Sequence, residues 1–149
     1  MSLTVQSREP GKLVVQSREP GKFTFTSPGP QGATGITYAT RPFENVDSVV
    51  LPSGTPVRKS GTGVVRADLT HPAMGIMMGN CSIGVAGNVI LSGFLTIPDW
   101  GLSSERTYYL GDGEVINTPP STGGFFVQIL GQAVSDQTLA VSIEPPIRL

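Results

Sequence analysis

His71 is the chain's single histidine, and Asp68 stands three residues before it in the run Asp68-Leu69-Thr70-His71-Pro72. A histidine steadied by a carboxylate and facing a serine is the arrangement that activates a nucleophile for acyl transfer. Serines are plentiful here, but no GxSxG turn is present to lift one out of the backbone, and the pentapeptide reads as a surface turn. Cys81 is the only cysteine. It can form no internal disulfide, and no histidine or cation adjoins it to generate a thiolate, so it reads as a small apolar side chain in a core. One His and one Cys cannot build a zinc site without carboxylates or a second chain. Asp112 and Glu114 flank glycines as calcium ligands can, but their spacing fits a hairpin and no EF-hand loop. Gly61-Thr62-Gly63 lacks the Gly-Lys-Ser/Thr ending of a phosphate loop. Trp100, Tyr108 and Tyr109 have flat faces that could stack on a sugar, although a lone Trp at a strand end more often anchors a core or an interface. These residues point to no enzyme, no cofactor, no metal and no small-molecule substrate.

The residues that do form a pattern lie at the start of the chain. Residues 3–12 read LTVQSREPGK and residues 13–22 read LVVQSREPGK, so the octet Val5–Lys12 recurs as Val15–Lys22. A core would place two copies in different surroundings and would not need the same charges in both, whereas a binding arm would. Pro10 and Pro20 remove backbone donors and push Glu9 and Glu19 out of the helical region. The stretches Leu13-Val14-Val15 and Phe23-Thr24-Phe25-Thr26 favour strand. Residues 1–26 are therefore expected to be an extended arm that binds by adding strands to a partner. Its contact residues are expected to be Val5, Gln6, Arg8, Lys12, Val15, Gln16, Arg18, Lys22 and Phe23. Arg8 and Arg18 are the specific anchors, through forked bonds to carboxylates or carbonyls. The arm carries Arg8, Lys12, Arg18 and Lys22 against Glu9 and Glu19, a net of +2, which suits an acidic protein surface.

Residues 27–37, SPGPQGATGIT, place Gly29, Gly32 and Gly35 at period three. Only glycine fits at the axis of a collagen triple helix, which takes three chains, so these glycines are the expected oligomerisation residues. The same stretch also reads as a Gly/Pro linker. The organisation expected is an arm at 1–26, a collagen-like or Pro/Gly linker at 27–45, and a domain at 46–149.

That domain must be all-β. The 149-residue chain has 19 Gly and 13 Pro, a density that disfavours long helices and favours short elements joined by tight turns. Expected strands are Val46–Leu51, Thr55–Arg58, Val64–Ala67, Met74–Met78, Ile83–Val85, Asn88–Ile97, Arg106–Leu110, Glu114–Asn117, Phe125–Val134 and Thr138–Ile143. Gly93 marks a bulge or a close approach, and Asp99–Glu105 forms at most one helical turn. Turns eight to twelve residues apart imply a small antiparallel β-sandwich or barrel. The expected core is Val50, Val57, Val65, Ile76, Val89, Leu91, Leu95, Tyr109, Leu110, Val127, Leu130, Val134, Leu139, Val141 and Ile143.

Charged residues make up 14% and the net charge is −1, so no basic stripe is available for nucleic acid. A surface so sparsely charged is either covered by other protein or rich in Ser, Thr and Asn. The start of the chain has no secretory pattern and no apolar run approaches a membrane span, so the chain is expected to be made in the cytoplasm and to avoid membranes.

Four segments carry a family resemblance: LPSGTPVRKSGTGVVRAD at 51–68, GNVILSGFLTIPDW at 87–100, RTYYLGDGEVINTPP at 106–120 and FVQILGQAVSDQTLAVSIEPPI at 126–147. They resemble a family of small tailed-phage virion proteins, whose members often carry Gly-X-Y repeats ahead of this domain. The first segment and the strand that follows also look like the small β-domains of head decoration proteins. The resemblance covers 46–149 and implies a trimeric, non-enzymatic component of the virion surface whose partner is the major capsid protein. Head or tail fibre modules and receptor- or glycan-binding modules are the alternatives. The duplicated arm lies outside the resemblance.

Overall fold

The computed structural model describes residues 39–149, and the arm residues and the glycines at 29, 32 and 35 lie outside them. The described chain is all-β, a curled antiparallel sheet that forms a half-barrel. Its strands are β1 (Ala39–Glu44), β2 (Pro56–Ser60), β3 (Gly63–Arg66), β4 (Gly75–Met77), β5 (Ala86–Thr96), β6 (Thr107–Leu110), β7 (Val115–Ile116), β8 (Phe126–Val127), β9 (Ile129–Ala133), β10 (Thr138–Ser142) and β11 (Ile147–Arg148). The main sheet runs β3-β2-β4-β5-β10-β9-β6-β7, with β1 beside β5, and β8 and β11 form a separate ribbon.

The long strand β5 organises the sheet. Its first half pairs with β4 (Ile76 opposite Ile90) and its second half with β10 (Leu139 opposite Leu95). Successive side chains point to opposite faces, so neighbouring residues serve different cores. Ile76 and Ile90 join a larger cluster with Leu95, Leu110, Leu130, Leu139 and Val141. Met77 and Val89 join a smaller one with Leu51, Val57, Val64 and Cys81. A strand buried on both faces reads as an unbroken apolar run, which explains Gly75-Ile76-Met77. Fully burying a Leu or Ile contributes about 1.5–3 kcal/mol, so the larger cluster dominates stability.

Close packing of strands fixes one glycine. A Cβ on Gly131 would collide with the carbonyl oxygen of Ala140 on the neighbouring strand β10. No side chain fits there, and β9 can approach β10 only because residue 131 has none.

Several expected elements differ. Residues 39–44, placed in the linker 27–45, are strand β1, antiparallel to β5 over Ala39–Glu44. Residues 46–50 are an irregular loop, and Val50 is 51% exposed rather than buried. Ile83 and Val85 are likewise exposed and lie outside the strands. The expected strand Phe125–Val134 is broken at Gln128 into β8 and β9. Val134 lies beyond the end of β9 and is exposed. Tyr108 is buried while Tyr109 is only half-buried, the reverse of the expected pair, because alternation along β6 puts Tyr108 on the same face as buried Leu110. Val64 rather than Val65 fills the smaller core, and Leu91, Val127 and Ile143 are half-buried.

Candidate binding surfaces

The Asp68–His71 segment is a closed turn. Asp68 and His71 exchange backbone hydrogen bonds of 3.1 and 3.0 Å. The Asp68 carboxylate accepts from the Thr70 N–H at 2.8 Å and the Thr70 hydroxyl at 2.7 Å. His71 Nδ1 lies 3.0 Å from Asp68 Oδ1 and 2.9 Å from Thr70 Oγ1. Both partners use the same ring nitrogen, whereas a general base needs one nitrogen for its carboxylate and the other for its nucleophile. Burial pushes the Asp68 carboxyl upward, but hydrogen bonds from Thr70 and His71 outweigh it and hold the group at about 2. The cluster does the work of a turn cap.

Cys81 is 2% exposed and packs with Met77, Val89 and Leu51, its thiol donating to the Val85 carbonyl at 3.1 Å. Gly111-Asp112-Gly113 is the turn between β6 and β7, closed by the Gly111 N–H donating to the Glu114 carbonyl at 2.8 Å.

The aromatic residues are only partly brought together. Trp100, Gly101, Leu102, Tyr108, Val115, Ile116 and Asn117 line an open cleft of about 270 Å³. Tyr109 is outside it. The Tyr108 hydroxyl accepts the Ser103 N–H at 2.8 Å, and the Tyr108 ring is buried, so it offers little face to a ligand. Trp100 packs against the larger core beside Gly54.

A second surface was not foreseen. Val127, Ile129, Glu144, Pro145 and Ile147 line an apolar groove of about 330 Å³ between the β8–β11 ribbon and β9. Ile147 is 67% exposed. The guanidinium of Arg148 sits 5.4 Å from the centroid of the Phe126 ring, steadying the ribbon. A shallower hollow adjoins it on the sheet face, lined by Thr107, Gln132, Ala140, Ser142 and again Ile129 and Glu144. In sequence this region looks like ordinary strand alternation. Only the Pro145-Pro146 pair, between β10 and β11, hints at a groove.

A third surface consists of two loops, residues 45–51 and 78–85. Leu51 and Cys81 exchange backbone bonds of 2.9 and 2.8 Å. The Asn45 N–H donates to the Val85 carbonyl at 2.9 Å, and the Gly84 N–H to the Asn45 carbonyl at 2.8 Å. Buried Asn45 adds side-chain bonds to the carbonyls of Val49 and Cys81, each 2.9 Å, and accepts the Asp47 N–H. Asp47 turns away to Arg66, whose N–H and Nε both donate to its Oδ2. Burial raises the Asp47 carboxyl, but the bonds from Arg66 and Ser48 prevail and hold it below the usual carboxylate value.

Among the described residues, no group of three or more His, Cys, Asp or Glu is gathered as a metal site would need. Comparison with known proteins finds no matching family model, no similar curated protein and no similar solved structure.

Proposed function

We propose that the chain is a decoration protein of a tailed-phage head, made in the host cytoplasm and carried on the outside of the virion. On this reading it is a homotrimer, non-enzymatic, and binds the major capsid protein. The observation that carries the reading is the octet Val5–Lys12 repeated as Val15–Lys22 ahead of an all-β domain. Two identical peptides on one chain can hold two equivalent sites on a repeating lattice. The second binding event is then intramolecular, so avidity rises without new chemistry. The apolar groove at Val127, Ile129, Pro145 and Ile147 supports the same reading, because it suits protein contact.

The test is binding to undecorated capsids by the full chain and by a version lacking residues 1–26. Loss of binding on deletion, with the oligomer intact, is the expected result. Binding by neither form would overturn the proposal. A fibre-borne or glycan-binding module is the second reading, favoured by the cleft that Trp100 shares with Tyr108 and Asn117. It expects sugar binding that survives the deletion.

A further inference from the structure

We propose that the loops 45–51 and 78–85 are the contact through which copies of this chain associate, meeting their counterparts about a three-fold axis. The inference deepens the homotrimer reading above and rests on it.

What these loops expose is mainly aliphatic, with Ser48, Asn80 and Ser82 among it. Val46, Val49, Val50, Met78, Ile83 and Val85 are between 37% and 55% exposed. Asp47 is the loops' one charged residue, and it is occupied by Arg66. The bridge between Leu51 and Cys81 sets Val49 and Val50 alongside Ser82 and Ile83, and the Asn45 bonds set Val46 beside Val85. The side chains therefore form one patch on a firmly bonded frame.

The chemistry of the patch selects its occupant. A nucleic acid would find no charge to recognise, and a glycan only the scattered polar groups of Ser48, Asn80 and Ser82. A partner chosen by electrostatics would find no field to steer it. An aliphatic surface without charge is complementary to itself, and obligate contacts between identical subunits are the most apolar of protein interfaces. The extent also fits. These half-exposed side chains present several hundred Å² of apolar surface, the size of the largest patch on a typical monomer, which is often functional. Gly29, Gly32 and Gly35 at period three independently suit an assembly of three chains.

The experiment is sedimentation velocity over a concentration series on the full chain and on the double variant Val50→Glu with Ile83→Glu. Both positions are exposed, so each charge is tolerated in the free subunit but buried without a partner in the assembly. The expected result is a trimer for the parent, and for the variant a dissociation constant raised about 100-fold or more. Circular dichroism should show the strand signature unchanged. A milder pair, Val50→Thr with Ile83→Thr, keeps β-branched shape and should weaken the trimer in the same direction should the glutamates disturb folding. A trimeric parent whose variants remain equally trimeric overturns the placement and leaves the homotrimer reading standing. A parent that is monomeric throughout overturns both.

Discussion

The side chain of Gln128 and the backbone of Ala73 form a closed pair across the fold. The Ala73 N–H donates to Gln128 Oε1 at 2.8 Å, and Gln128 Nε2 donates back to the Ala73 carbonyl at 2.9 Å. The same Nε2 donates to the Glu144 carbonyl at 3.0 Å. One amide thus imitates a strand neighbour for the segment after His71 and ties it to the chain beyond β10. Gln128 is 2% exposed, so these groups have no water to fall back on.

Replacing Gln128 with Leu should therefore destabilise the domain by roughly 3 kcal/mol, since an orphaned buried polar group costs about 1–3 kcal/mol. Gln128→Glu keeps an acceptor for Ala73 but turns a carboxylate toward two carbonyls. Its deficit should be larger at neutral pH and shrink as the acid protonates. Urea unfolding midpoints at two pH values check both expectations.

The part of the fold legible in sequence is the part governed by alternation and turn chemistry. The hairpin β2–β3 closes at Gly61-Thr62, the buried strand β4 falls where Met74–Met78 is expected, and β10 alternates Leu139 and Val141 inward. The illegible parts each have a local cause. Strand β1 carries Arg41, Pro42 and Glu44, which read as linker, yet Pro42 is tolerable where only one neighbour strand, β5, pairs with it. The run Val46–Leu51 looks like strand because it is β-branched, but Asn45 takes the Val49 carbonyl that a neighbouring strand would need. Gln128 interrupts a periodic stretch by bonding across the fold. The same confusion hid the candidate contact surface. Val50, Ile83 and Val85 have the composition of core strands and are instead held outward by a side-chain network that no periodicity announces.

Asn45 should be as sensitive as Gln128. It is fully buried and bonds three backbone groups on two loops. Asn45→Ala should lower stability by about 2–4 kcal/mol, given the cost of each orphaned group. It should also speed hydrogen exchange in both loops more than in β9 or β10. Site-resolved exchange measured by mass spectrometry distinguishes this local loosening from a uniform loss.

Gly131→Ala should be among the most damaging single-methyl additions. The new Cβ would meet the Ala140 carbonyl oxygen and the Val141 Cα, both backbone atoms that move only if β9 and β10 separate. A cost of about 3 kcal/mol, the upper end for overpacking, is expected. Gly61→Ala offers a contrast, since nothing lies within 4 Å of its added Cβ and only the positive φ of 60° opposes it. Thermal unfolding of both variants should show the larger fall for Gly131→Ala.

The Asp68 turn gives the domain an acid-dependent component. Its carboxyl titrates at about 2 in the fold against 3.8 ordinarily, because bonds from Thr70 and His71 prevail over the opposing effect of burial. A depressed folded-state value means that the unfolded chain binds the proton first. The stabilisation is therefore complete above about pH 4 and is lost as pH falls from there toward 2. Asp68→Asn should lower stability at neutral pH and flatten its decline across that window, while leaving the contribution of Asp47 in place. Urea midpoints for both proteins at half-unit steps from pH 5 to pH 2 test this, and parallel curves would show that Asp68 is not the group responsible.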